Sequence, residues 1–341
     1  MGEGFSAVPP TASVIITCYN LERYIGAAID SVLDQQFADP IEIIVVDDCS
    51  GDGSADIIRS YPQVRYVRTA ANSGVLLAML EGLKQSSGAF IFLLDGDDVW
   101  EPRKLSDSMD IFWGDAQIAL TTHDLSFIDE AGGPLARASR PEQVLTPLAP
   151  DARSSRIVDG ILHHLDFVWL GSALGFRRSL ADLTGFDDWA RRLPDAANTY
   201  QDWPLAFWIA SQPEAKAGYV ARKLFRYRLH GANHSGDARD VSRALRNLNR
   251  ALNTIEAMLN IAGCRQLPGN VIKELKGRSL AYRFQIDLYS GRRAKALSGY
   301  VRALPDLLNR GQAGKELVRF VMIAFMGPGN FARLSARRRP G

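Results

Sequence analysis

Regular patterning begins at Ser13. Ser13-Val14-Ile15-Ile16-Thr17 is a short apolar run rich in β-branched residues, the pattern of a buried strand. From Arg23 to Gln35 the apolar positions Ile25, Ala28, Ile29, Val32 and Leu33 fall on one stripe of a helix. Glu42–Val46 predicts a second buried strand, Gly53-Ser54 opens a short helix to Ser60, and Val64–Arg68 predicts a third strand. A second long helix, Gly74–Gln85, places Leu76, Leu77, Leu80 and Leu83 on its apolar side, and Ala89–Leu94 predicts a fourth strand. This alternation predicts an α/β fold with a mostly parallel central sheet and helices on both faces. In such sheets ligands bind beyond the carboxyl ends of the strands.

After Leu94 the pattern is mixed. Leu105–Phe112 and Gln201–Ser211 read as helices, and Ile118–Thr122, Phe167–Phe176 and Lys223–Tyr227 as strands. Gly132-Gly133-Pro134 is a hairpin-type turn, and Leu135–Arg156, polar and Pro-containing, reads as a mobile loop. Beyond Ser235 the character changes. Val241–Ile261, Asn270–Tyr289, Arg293–Leu308 and Gly314–Met326 are all helix-like. The expected organisation is a flexible leader over 1–11, an α/β catalytic domain over 12–236, and an α-helical C-terminal region over 237–341.

Composition narrows the classes. A net charge of +2 on 341 residues lacks the basic surplus of a nucleic-acid binder. Cys18, Cys49 and Cys264 have no metal-ligand spacing and are odd in number, which points to a reducing compartment rather than a disulfide framework. The first dozen residues have neither the basic start nor the apolar run of a signal peptide, and no apolar stretch is long enough to span a bilayer. A cytoplasmic protein is expected.

Polar residues cluster where the strands end. Strand one runs into Thr17-Cys18-Tyr19-Asn20, strand two into Asp47-Asp48-Cys49-Ser50-Gly51-Asp52-Gly53-Ser54, and strand four into Asp95-Gly96-Asp97-Asp98. Asp52 and Ser54 are explained by caps and turns, and Asp47-Asp48 could be as well. Three carboxylates in four positions after a buried strand are costly without a counter-charge, and a hard divalent cation would neutralise them.

These segments, in this order and at this spacing, resemble the inverting glycosyltransferase family 2, with its GT-A nucleotide-sugar transferase fold. Asn72-Ser73-Gly74, Gly185-Phe186-Asp187-Asp188, Gln201-Asp202-Trp203 and Tyr227-Arg228-Leu229-His230 resemble further family segments, so the likeness covers 12–236. The resemblance implies a nucleotide-sugar pocket built from Thr17, Tyr19, Asn20, Asp48, Asn72, Asp95, Arg228 and Ser235. Tyr19 would pack on the base, Asp48 would accept from it and favour uracil, and Arg228 and Ser235 would contact phosphate. Asp97 would bind Mn2+ or Mg2+ directly, with Asp95 on the ribose or a metal-bound water and His230 completing the metal shell. Asp202 would be the general base, in a Gln-Asp pair where the family usually has Glu-Asp. The implied partners are a nucleotide-diphosphate sugar donor and a glycan, lipid-linked or other hydroxyl acceptor.

Three alternatives stand beside this reading. Phe92–Val99 also fits the haloacid-dehalogenase-type phosphatase signature, although three strand–helix units precede it. A non-catalytic binding module on the same fold is the second. The third, a dinucleotide-binding oxidoreductase, is disfavoured because no Gly-x-Gly-x-x-Gly follows strand one. Finally, the apolar stretch Leu317–Met326 and the basic Arg337-Arg338-Arg339 point either to peripheral contact with the inner face of a membrane or to packing on the catalytic domain.

Overall fold

A computed structural model describes residues 10–136, 153–154, 170–213, 215–231, 240–309 and 313–331. The chain divides into two compact units, one of residues 1–197 with 201–228, the other of 198–200 with 229–341.

The first unit is an α/β sandwich. Four parallel strands, β1 (Ala12–Cys18), β2 (Ile41–Asp47), β3 (Val64–Arg68) and β4 (Phe90–Asp95), lie in the order β3-β2-β1-β4. β1 and β4 are buried nearly throughout, because helices cover the sheet on both sides. On one face Val14, Ile16, Val45, Phe92 and Leu94 share a core with Ile25, Ala28, Ile29 and Val32 of α1 (Ile25–Leu33). Leu105, Met109 and Phe112 of α4 (Lys104–Gly114) join the same core. Each fully buried Leu, Ile or Phe contributes about 1.5–3 kcal/mol relative to exposure. Between these elements lie α2 (Ser54–Arg59) and α3 (Val75–Gln85).

The sheet continues through β5 (Val99–Trp100), β6 (Ile118–Ile128), β7 (Pro134–Leu135), β8 (Arg153–Ser154), β9 (Gly175–Arg177) and β10 (Lys216–Arg228). β9 runs antiparallel between β4 and β6, whereas β6 and β10 pair in parallel. The sheet is thus mostly parallel, as expected, with antiparallel pairings confined to β5, β7, β8 and β9. The turn at Gly132, with φ +92°, joins β6 to β7 as an antiparallel hairpin, as its residues predict. The expected strand over 167–176 is a correction: Gly171–Ala173 is a 3-10 turn, and only Gly175–Arg177 is strand, with 155–169 outside the described residues. Two short helices, α5 (Leu183–Ala190) and α6 (Asp202–Ala210), complete this unit.

The second unit is helical. It holds α7 (Val241–Cys264), α8 (Gly269–Tyr289), α9 (Arg293–Asn309) and α10 (Ala313–Met326). Asp240 caps α7 by accepting from the Arg243 N–H at 2.7 Å. Phe284, Leu288, Ala296 and Ile323 form one of its small cores. Among the described residues no helix is long and apolar enough to cross a membrane.

Candidate active site

β1 is flanked by β2 and β4, so the strand order reverses there and a crevice opens beyond the carboxyl ends. Thr17 stands opposite Asp95 across the β1–β4 ladder, and Cys18 opposite Asp47 across β1–β2. This register carries the polar strand ends to one edge.

Asp95 is the centre of the cluster. Its Oδ1 accepts from Gln201 Nε2 at 2.6 Å and, weakly, from Thr17 Oγ1 at 3.5 Å. Burial, then the nearby charges of Asp97 and Asp202, push its carboxyl up to about 8. Asp98 is buried as well, and desolvation followed by the charges of Asp97 and Asp95 raises it well above the usual carboxylate range. Asp202, the first residue of α6, is pushed up to about 7 by burial, against the pull of hydrogen bonds from the backbone N–H groups of Trp203 and Gly171.

One short turn organises all three acids. Gly171 N–H donates to Asp202 Oδ2 at 3.1 Å. Ser172 Oγ donates to Asp98 Oδ2 at 2.6 Å and accepts from the Asp95 N–H at 3.1 Å. The turn is held from the core: Trp100 Nε1 donates to the Ser172 carbonyl at 2.9 Å, and Lys104 Nζ to the Ala173 carbonyl at 2.8 Å. Lys104 is wholly buried beside Phe92 and Trp100, and desolvation lowers its ammonium well below the ordinary lysine range. Gly171 suits its place, since a Cβ there would lie 3.1 Å from Gln201 Nε2 and 3.4 Å from the Asp95 carboxylate. The sequence reading missed Gly171, Ser172, Trp100 and Lys104. The small Gly-Ser-Ala run inside an apolar stretch was the available signal; Lys104 gave none.

Several expected ligand contacts take another form. Asp48 is not a free acceptor for a base. Its oxygens take the Thr69 and Ser73 hydroxyls, each at 2.8 Å, and the N–H groups of Ser73 and Gly74. It therefore shapes the 69–74 loop, in which Asn72 Oδ1 also accepts from Gly74 N–H at 3.2 Å. Asn20 has left-handed φ of 54° and its Oδ1 accepts from Gly51 N–H, so it braces the neighbouring loop. Tyr19, by contrast, is exposed at the strand end. Arg228, expected on phosphate, is buried. Its Nε donates to the Asp97 carbonyl at 2.8 Å, its own N–H to Asp98 Oδ1, and its guanidinium lies over the Tyr24 ring.

The resemblance implies Asp95, Asp97 and His230 as metal ligands. Among the described residues no three His, Cys, Asp or Glu side chains are grouped to hold an ion. Asp95 Oδ1 is engaged by the Thr17 hydroxyl and the Gln201 amide. Ser235 lies outside the described residues. Cys18 is buried, and burial pushes its thiol up to about 12, which keeps it protonated.

Residues 13–183 match the family model described as Glycosyl transferase family 2. A Nostoc sp. (strain PCC 7120 / SAG 25.82 / UTEX 2576) protein described as "uncharacterized glycosyltransferase alr2836" is 37% identical over 229 residues, 65% of this chain and 66% of that protein. TuaG of Bacillus subtilis (strain 168), described as a "putative teichuronic acid biosynthesis glycosyltransferase", is 33% identical over 141 residues, 40% of this chain. The match spans only 55% of TuaG's length. Among solved structures, S. aureus TarS 1-349 in complex with UDP-GlcNAc aligns with a TM-score of 0.55 at 17% identity, over 89% of this chain and 92% of that one. The mannosyltransferase PcManGT from Pyrobaculum calidifontis, in complex with GDP-Man and Mn2+, gives 0.56 at 16% identity over 96% and 87%. At such identities these two likenesses show the fold, which is GT-A. The family match runs through Asp95–Asp98 and takes that run away from the phosphatase alternative.

Proposed function

The chain belongs to glycosyl transferase family 2, and from that premise we propose that it moves a sugar from a nucleotide-diphosphate donor to an acceptor hydroxyl, inverting the anomeric centre. The observation that carries the reading is Asp202, a buried carboxyl held at about 7 on the first turn of α6, close enough for its charge to raise Asp95. A general base works best when its pKa lies near the working pH. Asp202 would take the proton from the acceptor hydroxyl as that oxygen attacks the anomeric carbon from the face opposite the leaving diphosphate.

On the donor side, Thr17, Tyr19, Asn20 and Asn72 would line the nucleotide pocket, with the exposed Tyr19 packing on the base. Asp48 shapes the wall through the loop it holds, so a uridine preference would rest on the loop rather than on a carboxylate contact. Ser235 is retained as a phosphate contact, and Arg228 sets the Asp97 turn instead. Asp95 and Asp97 suit a divalent cation, Mn2+ or Mg2+: Asp95 is raised by burial and by its neighbours' charges, a cost that such a cation relieves. His230 would complete the protein ligands of that cation, and phosphate and water oxygens would supply the rest. When bound, the cation would neutralise the departing diphosphate.

The donors named with TarS (UDP-GlcNAc) and PcManGT (GDP-Man) support a nucleotide-sugar. The name given to TuaG, a teichuronic acid biosynthesis glycosyltransferase, supports glycan or polysaccharide assembly; the acceptor would be a glycan, a lipid-linked sugar or another hydroxyl compound, reached at the inner face of a membrane. A non-catalytic module is the remaining alternative. A thermal-shift panel of uridine, guanosine, thymidine and adenosine diphosphates, with and without Mn2+, decides the donor class. Metal-dependent stabilisation by one nucleotide, abolished in Asp97→Ala, is expected. Indifference to every nucleotide would overturn the reading, and binding without turnover of any sugar nucleotide would favour the module.

A further inference from the structure

Charge is unevenly distributed along this chain. Residues 292–341 hold eleven Lys and Arg but only two Asp and Glu, a net +9, whereas the whole protein is +2 and the preceding 291 residues are therefore net −7. One of the two acids, Glu316, is buried and paired with Arg319. The exposed Arg293, Lys295, Arg302 and Lys315 stand on the same two helices.

Exposed apolar surface concentrates there as well. Among the described residues ten large hydrophobic side chains are exposed, and seven lie on α9 and α10. On α9, Leu297, Val301 and Leu308 recur at spacings of four and seven, which sets them on one face. On α10, Leu317, Val318, Val321 and Phe325 do the same, with Phe325 88% exposed. The opposite faces are occupied: Ala303 and Leu307 of α9 and Ala313 and Ile323 of α10 belong to the small cores of the helical unit. Each helix is thus amphipathic, with its inner side satisfied and an apolar outer side left over.

We infer that the outer faces of α9 and α10 are a landing surface for an anionic lipid bilayer, on which the helices lie flat while the basic residues meet the headgroups. Charge complementarity selects this occupant. Basic side chains beside an apolar stripe match an interface that offers acyl chains below and negative charge above. A second copy of the chain would bring two strongly positive faces together, which repulsion opposes. A nucleic acid would meet the charge but leave the leucines, valines and Phe325 without a role. The inference deepens the membrane-side part of the proposed function and does not depend on the catalytic assignment, so flotation and sugar transfer can fail separately.

The full-length protein is floated on sucrose gradients with phosphatidylcholine vesicles, with and without phosphatidylglycerol. Recovery with the anionic vesicles is expected to exceed that with neutral ones by about tenfold or more, and to fall as salt is raised. Val321→Glu with Phe325→Glu should abolish flotation while leaving the circular dichroism spectrum and the nucleotide response intact. If that pair disturbs folding, Arg302→Glu with Lys315→Glu tests the charge alone and should reduce flotation on anionic vesicles. Equal recovery with both vesicle types, or unchanged flotation of folded Val321→Glu/Phe325→Glu, would overturn the inference. A lipid-free dimer dispersed by those substitutions would assign the face to a second copy. Charge-dependent binding to an RNA oligonucleotide that ignores Phe325 would assign it to a polyanion; either result also overturns it.

Discussion

Gln201 Nε2 donates a 2.6 Å hydrogen bond to Asp95 Oδ1, while its own Oε1 is buried without a partner among the described residues. The amide therefore delivers a donor to a carboxylate that already faces two like charges. It does so at the position where family members usually carry a glutamate, so neutrality at 201 limits the repulsion inside the cluster.

Gln201→Glu is expected to destabilise the metal-free protein by about 3 kcal/mol at neutral pH, the scale for a buried charge without compensation. The new carboxyl would be raised in the folded state. Its neutral form favours folding, so stability is present below the unfolded carboxylate value and is lost as pH rises. The melting temperature of the variant should therefore fall more steeply than wild type as pH rises from about 4, the unfolded glutamate value, to about 8. Added Mn2+ should narrow the gap. Parallel melting curves across that range would show that Gln201 has no electrostatic role.

Asp202 predicts both a rate and a stability profile. Its carboxyl acts as a base only when ionised, so kcat/KM should rise with pH through about 7 and level off above it. Asp202→Asn should keep nucleotide binding and lose about 10²–10⁴ in transfer. Its folded value of about 7 exceeds the ordinary 3.8, so the group favours folding below 3.8 and that contribution is lost as pH climbs to about 7. Asp202→Asn should flatten that part of the stability curve. Transfer at wild-type rate by this variant would remove the base assignment.

Gly74→Ala tests the loop that Asp48 holds. Gly74 has φ +85° and ψ 157°, a conformation L side chains avoid, and a Cβ there would lie 2.3 Å from the Ala197 carbonyl oxygen. The substitution should cost about 3 kcal/mol or more, read as a lower denaturation midpoint. It should also weaken nucleotide binding, because the Gly74 N–H to Asp48 Oδ2 bond anchors the start of α3. An unchanged midpoint would show that the loop yields freely.

How far the sequence revealed all this depended on what each segment buries. β1, β2 and β4 were legible because both of their faces are covered, so their apolar runs are continuous. β6 runs on to Ile128, beyond the predicted Thr122, because His123 and Asp124 are buried polar residues that hydropathy reads as the end of a strand. β10 begins at Lys216 rather than Lys223 for a related reason: its exposed Ala221–Lys223 stretch masks the pairing with β6. In the site, the acids at strand ends were legible as residue types at a topological edge. Their partners were not. That Asp48 is saturated by loop N–H groups, or that Arg228 clasps the Asp97 carbonyl, is a matter of three-dimensional contact between segments far apart in the chain.

The Gly171–Ala173 turn has a consequence for how this protein can vary. Because one turn bonds to Asp95, Asp98 and Asp202, a substitution that shifts it moves the proposed cation-binding acid and the proposed general base in one event. Changes at Ser172, Trp100 and Lys104 should therefore be strongly epistatic with one another and with the carboxylates. Their double-variant rates should depart from the product of the singles. A lineage acquiring a new acceptor would find its accessible steps outside this turn.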